Sequence, residues 1–202
     1  MFPAYPQPAF TQWTTREVHG FLAESLFMVS HTGTHLDAPF HFDPRGKKLD
    51  GLSVDRFFVP GHVLDLHDLR PGGRIEPSQL RAVRKRSCRP VHGGDAVLLR
   101  SGWERKQGSR AYLFENPGLG AAAAKGLVSW GVGLVGIDSP NMDVAGDETY
   151  PAHHVLLRSE VLVIENVTNL AALGSGPFTL AAFPLPLLGA TGSPIRLVGL
   201  VA

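Results

Sequence analysis

The chain has 202 residues, of which 44% are hydrophobic and 18% are charged. A chain of this length and composition can bury a sizeable core, so we expect one globular domain over residues 1–202. The net charge of +1 argues against a nucleic-acid or membrane partner, because such partners select strongly basic surfaces. The sequence also has no apolar run of about 18 residues that would predict a membrane span, and no signal-peptide pattern at its start.

Cys88 is the only cysteine in the sequence. An intrachain disulfide and a cysteine-based metal cluster are therefore excluded, and the composition suits a reducing compartment. We expect a cytoplasmic protein.

The start of the chain predicts two extended segments. Residues 1–15 are rich in proline and aromatic side chains, which favours an extended N-terminal arm. Residues 18–29 carry apolar side chains at both odd and even positions. That pattern is typical of a strand that is buried on both faces.

Residues 31–41, the histidine-rich segment, read HTGTHLDAPFH. Four side chains of this segment lie at odd positions, and an extended backbone would direct all of them to one face. These residues are His31, His35, Asp37 and His41. A helix would place the carboxylate roughly opposite the first two imidazoles. Imidazole nitrogens and carboxylate oxygens bind Zn²⁺ and its first-row neighbours, so the segment predicts a metal site.

The middle of the chain alternates predicted strands and helices. We expect a strand around 63–66, a helix over 77–87, a buried strand within 95–103, and an alanine-rich helix over 118–131. Four polar residues near the first of these strands could form a second ligand group: His62, Asp65, His67 and Asp68. Polar residues beside a strand and its turns are commonly solvated, and we interpret these four in that way.

Gly131, Gly133 and Gly136 spell GxGxxG, the pattern of a dinucleotide-binding loop. That loop must follow a strand and begin a helix, whereas these glycines follow a predicted helix and enter the apolar strand 134–137. Helix termination and close packing therefore explain the glycines better than a nucleotide-binding oxidoreductase does. The sequence contains neither the GxSxG motif of a serine hydrolase nor the HExxH motif of a zinc peptidase.

The last third predicts a short helix over 151–159, a strand over 161–166, and a final strand over 195–201. Glu165 closes the apolar run of the middle element, where a buried carboxylate needs a cation or strong donors. His153 and His154 lie on the preceding helix. One of them, together with Glu165, could complete a site for two metal ions. Alternatively, Glu165 is exposed and the histidines cap the helix.

The sequence HTGTHLDAPFH resembles the signature of the metal-dependent cyclase family, which includes bacterial kynurenine formamidase and isatin hydrolase. Three later stretches, GIDSP, HHVLLRSEVLVIENVTNL and GATGSPIRLVGLV, are similar to later blocks of that family in the same order. The resemblance runs from about residue 18 to the end. The chain departs from the family at its start, where it reads FPAYPQP in place of a segment resembling PVWPGDP.

The resemblance assigns roles within the histidine-rich segment. It implies metal ligands at His31, His35 and Asp37, with Asp37 bridging two ions. It also implies that His41 is a catalytic histidine and not a ligand.

Two further ligands are implied by a later block of the family. There a ligand histidine stands three residues before a Leu-Leu pair and twelve residues before a ligand glutamate. This register implies that the ligands are His153, rather than His154, and Glu165.

The family also implies a fold, a cofactor and an activity. The fold is a mixed α/β domain of the swivelling β/β/α type, usually in a homodimer or larger homo-oligomer whose subunits contribute to one another's sites. The cofactor is Zn²⁺, as one or two ions, with Mn²⁺ as the alternative. The activity is arylformamidase-like hydrolysis of an amide-type bond in a small carbonyl substrate such as an N-formylkynurenine, by metal-activated water with His41 as general acid and base.

Two alternatives to this activity are kept. The first is hydrolysis of a cyclic amide or lactone, as in isatin hydrolase, since the same constellation serves both reactions. The second is a catalytically silent protein that uses its metal for structure or sensing.

Overall fold

The computed structural model describes residues 5–67 and 69–201. Its strands are Ala9–Thr14 (β1), Ala23–Phe27 (β2), His35–Asp37 (β3), Phe58–Asp65 (β4), Arg74–Ile75 (β5), Ala96–Arg100 (β6), Gly118–Leu119 (β7), Leu134–Ile137 (β8), Leu162–Glu165 (β9), Phe178–Ala181 (β10), Gly192–Pro194 (β11) and Val198–Val201 (β12). Its α-helices are Arg16–His19 (α1), Pro77–Arg84 (α2), Arg110–Phe114 (α3), Ala121–Ser129 (α4) and Pro151–Arg158 (α5).

One mixed sheet of eight strands organises the fold, in the order β11-β3-β9-β8-β6-β4-β10-β12. The four central strands β9, β8, β6 and β4 run parallel to one another. The strands at both ends, β3 and β11 on one side and β10 and β12 on the other, pair antiparallel. The antiparallel pairing of β3 with β9 is the part of this topology that builds the candidate site.

The central strands are buried on both faces because each carries an almost unbroken apolar run. In β6, Val97 and Leu99 belong to a core layer that also includes side chains of α2, α4 and α5. Ala96 and Leu98 point to the opposite face, into a second layer covered by irregular segments. The predicted mixed α/β class is therefore confirmed. None of the helices in the described part of the chain is long and apolar enough to cross a membrane.

The glycines of the GxGxxG pattern have the structural roles predicted for them. Gly131 follows α4 with a φ of +76°, a left-handed conformation that glycine adopts without strain. Gly136 lies within β8, and a Cβ there would come 2.6 Å from Leu98 Cδ2. Helix termination and close packing thus account for these two positions.

The prediction of a doubly buried strand over residues 18–29 is wrong. Residues 16–19 form α1, which ends at Gly20 with a φ of +77°, and β2 follows. This strand pairs with β1 in a separate two-stranded hairpin, and its side chains are largely exposed. The apolar run reflects side chains that no other layer of the described chain covers, so apolar character alone misplaced this segment.

The interpretation of the polar residues around β4 as solvated is also wrong for His62, which is only 2% exposed. Its imidazole donates a hydrogen bond from Nε2 to Asp95 Oδ2 at 2.8 Å, and Ser87 Oγ lies 2.9 Å from Nδ1. Partners distant in sequence, the buried Asp95 and the half-buried Ser87, pair with this side chain. His67 is exposed as interpreted, and Asp68 lies outside the described residues.

Candidate metal centre

The candidate centre starts from the pairing of β3 with β9. His35 and Asp37 are two residues apart on β3, so their side chains leave the same face of the strand. His35 lies directly opposite Glu165 in the antiparallel register. His35 Nε2 is consequently 3.3 Å from Asp37 Oδ1 and 3.5 Å from Glu165 Oε2. The period-two argument from the sequence is correct for these two β3 residues.

Helix α5 adds a third imidazole to this group. His153 Nε2 lies 3.1 Å from Glu165 Oε1 and 3.5 Å from Asp37 Oδ2. His154, the neighbouring histidine, instead lines a separate cleft between α4 and α5. The structure thus places His153, and not His154, beside the two carboxylates.

His31 and His41 reach the group from outside β3. His31 Nδ1 lies 2.7 Å from Asp37 Oδ1, and the His41 ring stacks on the His31 ring with centroids 4.0 Å apart. The segment is extended at β3, but Pro39–His41 is a 3-10 turn, so the period-two argument does not reach His41. Pro39 begins this turn, and its carbonyl accepts the Phe42 N–H. The structure nevertheless brings together all six predicted site residues.

Asp143 is a site residue that the sequence analysis missed. Its Oδ2 accepts a hydrogen bond from His153 Nδ1 at 2.5 Å, which leaves Nε2 directed at the two carboxylates. The same carboxylate accepts the backbone N–H groups of Ala152 and His153 at the start of α5. Asp143 therefore fixes both the helix and the imidazole. In the sequence it is one more polar residue of the turn after β8, and no local signal marks it.

His31 also contacts the start of the edge strand β11, at Thr191 and Gly192. Thr191 Oγ1 lies 2.9 Å from His31 Nε2. A Cβ at Gly192 would lie 2.6 Å from His31 Cε1 and 2.7 Å from the Leu36 carbonyl oxygen. Only glycine therefore lets β11 approach the centre this closely. A single sequence gives no way to link these residues with His31.

The two carboxylates dominate the electrostatics of the centre. Burial opposes the charged form of His35, but Asp37 and Glu165 raise its pKa to about 9. Burial also opposes charge on His153, and its hydrogen bond to Asp143 and the nearby carboxylates raise its pKa. Burial favours protonation of Asp37, yet the surrounding histidines hold its pKa well below the usual range. The centre therefore favours bound positive charge.

The donor set fits a divalent transition metal. His35, Asp37 and Glu165 offer ligand atoms within 4.8 Å of one another, and so do His31, Asp37 and His41. Asp37 belongs to both groups, as an aspartate that bridges two ions would. Its Oδ2 is buried and accepts no hydrogen bond from the described residues. A bound cation would satisfy this oxygen.

His41 differs from the other imidazoles of the centre. Burial lowers its pKa to about 4 despite the negative charge of Asp37. Its side chain is therefore neutral near pH 7, with an unprotonated nitrogen in its ring. Its ring packs between that of His31 and the edge of Phe42, whose centroid is 4.7 Å away. The geometry admits His41 as a ligand or as a proton-transfer group.

The centre opens into a cavity of about 630 Å³. Aromatic side chains form part of its wall, namely Tyr5, Phe42, Tyr112 and Tyr150. Phe42 also stacks on His153, with centroids 4.7 Å apart. A cavity of this size accommodates a small aromatic molecule next to the carboxylates.

The fold is mixed α/β, and it holds a buried group of imidazoles and carboxylates at the wall of a cavity. This combination is typical of a metal-dependent enzyme. The sequence profile of the Cyclase family matches residues 2–144, and the chain belongs to this family. It is 34% identical to a kynurenine formamidase of Bacillus thuringiensis (strain Al Hakam) over 186 residues, which cover 92% of this chain and 83% of the relative.

Two solved structures extend the comparison to the fold. An isatin hydrolase bound to the product analogue thioisatinate is 26% identical, with a TM-score of 0.86 over 97% of this chain and 82% of that chain. A protein described as a potential metal-dependent hydrolase with cyclase activity is also 26% identical, with a TM-score of 0.78 over 96% of this chain and 86% of that chain. The predicted cyclase-family fold is confirmed.

Proposed function

We propose that this protein is a metal-dependent hydrolase that cleaves a non-peptide C–N bond in a small carbonyl substrate, as an arylformamidase does. The observation that carries the proposal is the convergence of three imidazoles and two carboxylates at a cavity. Asp37 Oδ2 there is buried and accepts no hydrogen bond from the described residues, although His153 Nε2 lies 3.5 Å away. The relative named kynurenine formamidase, which matches 92% of the chain, supports an N-formylkynurenine-type substrate.

The proposed ligands are the two carboxylates and the three imidazoles around them, namely His31, His35, Asp37, His153 and Glu165. This mixture of nitrogen and oxygen donors suits Zn²⁺, and Mn²⁺ is the alternative. When bound, such an ion would polarise a substrate carbonyl and lower the pKa of a water molecule towards about 7.

We assign the proton transfers to His41. Its imidazole is neutral, lines the cavity and makes no side-chain hydrogen bond to the described residues. It can accept the proton of the attacking water and then donate it to the leaving nitrogen as the C–N bond breaks. Stacking on His31 and the edge contact with Phe42 hold its ring in place for both transfers.

Opening of a cyclic amide or lactone is the second candidate. The structural likeness to an isatin hydrolase, with a TM-score of 0.86, favours it specifically. The same residues would serve this reaction, since a ring amide also breaks at its C–N bond. The choice of substrate depends on the shape of the cavity wall.

We also propose that the protein assembles as a homodimer or larger homo-oligomer in the cytoplasm. The β1–β2 hairpin exposes large apolar side chains, including Phe10 at 72%, Trp13 at 75% and Phe27 at 61%. An apolar cluster of this kind typically marks a contact surface. Light scattering after size-exclusion chromatography should give a multiple of the 21.7 kDa chain mass, and Trp13→Ser should weaken the assembly. A monomer at all concentrations would contradict this part of the proposal.

The decisive test of function is a turnover assay on protein loaded with Zn²⁺ or Mn²⁺. The substrate panel contains N-formylkynurenine, formanilide, isatin and an aryl lactone. We expect hydrolysis of at least one member, loss of activity after chelation, and recovery when metal is added back. Full metal content without hydrolysis of any member would instead support a catalytically silent metal-binding protein.

A further inference from the structure

We infer that Asn166 binds substrate through its side-chain amide, which donates a hydrogen bond to a carbonyl or carboxylate oxygen, and that Tyr112 is the positioning residue that orients this amide. Both residues line the cavity beside the metal centre and lie outside the proposed ligand set. The inference rests on the proposed function and deepens it by assigning part of substrate recognition.

The backbone of Asn166 is fixed on both sides. Its N–H donates to the Ser139 carbonyl at 2.9 Å, and its carbonyl accepts a hydrogen bond from Thr34 Oγ1 at 2.7 Å. Its φ is +55°, in the left-handed region that asparagine tolerates better than most residues. Asn166 also directly follows Glu165 of the candidate centre. These contacts fix the Cα position of Asn166 beside the candidate metal centre.

Tyr112 fixes the orientation of the Asn166 amide. Its hydroxyl donates a hydrogen bond to Asn166 Oδ1 at 3.0 Å. Burial, with the nearby carboxylates of Asp138 and Glu165, raises the pKa of Tyr112, so the hydroxyl keeps its proton and remains the donor. Because the amide is planar and its oxygen accepts from Tyr112, the Nδ2 group must point elsewhere.

Tyr112 is itself held firmly enough to act as a positioning residue. The side chain is 4% exposed, and Trp103 Nε1 donates to the Tyr112 carbonyl at 3.1 Å. Ser109 caps the short helix α3, with its Oγ accepting the Tyr112 N–H. The burial and these hydrogen bonds therefore fix the position from which the Tyr112 hydroxyl contacts Asn166.

The Nδ2 group of Asn166 makes no hydrogen bond within residues 5–67 and 69–201, although two N–H donors are available there. The charged groups beside it in the centre are carboxylates and their imidazole partners. The Nδ2 group at the cavity wall can donate a hydrogen bond to an oxygen atom of the substrate. Such a bond gives specificity, because a substrate without that oxygen would leave the donor unpaired.

The test uses three variants of the full metal-loaded protein. Asn166→Gly deletes the amide and tolerates the left-handed backbone. Asn166→Asp retains an acceptor for Tyr112 but removes the N–H donors. Tyr112→Phe removes only the hydroxyl. The matched control is Asn169→Gly, because Asn169 also has a positive φ, of +61°, but is exposed and is not part of the cavity wall.

The measured quantities are KM, kcat, metal content, and Kd for thioisatinate by calorimetry. Loss of one donated hydrogen bond should raise KM and Kd about three- to tenfold in both Asn166 variants, with a smaller change in kcat. Tyr112→Phe should raise them about two- to fivefold, and the double variant Tyr112→Phe/Asn166→Gly should match Asn166→Gly alone. Asn169→Gly should match the wild type.

If Asn166→Asp keeps the wild-type KM and Kd, the inference is overturned. That result would mean that the N–H donors of Asn166 do not contribute to substrate binding. Additive effects in the double variant would overturn the role of Tyr112. If Asn166→Asp loses metal, the uncharged variants Tyr112→Phe and Asn166→Gly still decide the question. A wild-type protein that neither hydrolyses the panel nor binds thioisatinate would refute the proposed function, whereas an active wild type with unaffected variants would refute this inference alone.

Discussion

The chain buries two groups of histidine and carboxylate side chains, and they differ in how completely the protein satisfies them. In the first, His62 uses both ring nitrogens, towards Ser87 and Asp95. Asp95 additionally accepts the His92 N–H at 2.9 Å and pairs with Arg89 at 3.2 Å. In this group, the His62 cluster, the imidazole and the carboxylate are both paired with protein groups, although Arg89 Nη2 is buried without a hydrogen-bond partner among the described residues.

The second group, the candidate metal centre, is built from the same residue types with the opposite result. Three imidazoles surround Asp37 and Glu165, and Asp37 Oδ2 is buried without a hydrogen bond from any described residue. The centre also borders the cavity of about 630 Å³. The comparison indicates that carboxylate oxygens left without a hydrogen-bond partner beside a cavity, rather than histidine content, favour metal binding over a structural pair.

The largest expected effect comes from Glu165→Gln, an isosteric change that removes one negative charge from the metal centre. We expect metal binding to be lost and turnover to fall to the uncatalysed background, since an amide is a poor ligand in this position. Metal titration and the turnover assay would show both losses.

The matched variant Asp95→Asn makes the same chemical change in the His62 cluster. Metal content and turnover should stay at the wild-type level, while the free energy of unfolding should fall by about 1–3 kcal/mol because a buried acceptor is weakened. Loss of metal in Asp95→Asn would remove the distinction between the two groups.

His41→Ala sharpens the comparison within the metal centre. We expect turnover to fall by about 10² to 10⁴ because the proton-transfer group is gone. Metal content should be unchanged if His41 is not a ligand. Normal turnover would refute the assigned role, and loss of metal would make His41 a ligand instead.

Asp143→Asn tests whether the support of an imidazole matters for the metal. An asparagine side chain at this position could not accept all the hydrogen bonds that the carboxylate receives from His153 and the start of α5. Metal affinity should therefore fall by about 10- to 100-fold, as measured by competition with a chelator dye. Wild-type affinity would mean that the β3–β9 residues hold the metal without help from Asp143.

Gly192→Ala should have the smallest effect. The added methyl group would press on the His31 ring and the Leu36 carbonyl, which should cost about 1–3 kcal/mol of stability. The control Gly176→Ala adds a methyl group where nothing lies within 4 Å and φ is not positive, so its melting temperature should hardly change. Equal melting temperatures for the two variants would show that the approach of β11 to the centre is not tight.

The parts of the site that were predictable depend on local periodicity. His35 and Asp37 share a face because they are two residues apart on a strand, and Glu165 stands out in the sequence as a carboxylate at the end of an apolar run. The choice between His153 and His154 came from the family register alone. Helix periodicity could not separate two adjacent residues of one turn.

The parts that were missed depend on contacts between distant residues. No local pattern reveals that His62 is buried, because its partners lie 25 and 33 positions away in sequence. Asp143 lies in a turn like many others, and its role arises from the position of α5. The prediction of a buried strand over residues 18–29 fails because apolar patterning does not reveal whether another layer covers β2.

The most direct test of the central claim is the zinc and manganese content per chain, measured by elemental analysis on protein purified without chelator or affinity metal. Wild-type protein and His35→Ala should be compared side by side. We expect roughly one to two ions in the wild type and almost none in His35→Ala, which should also lose turnover. A wild-type content near zero that added Zn²⁺ or Mn²⁺ does not restore would contradict the account, because the imidazoles and carboxylates of the centre would then bind no metal.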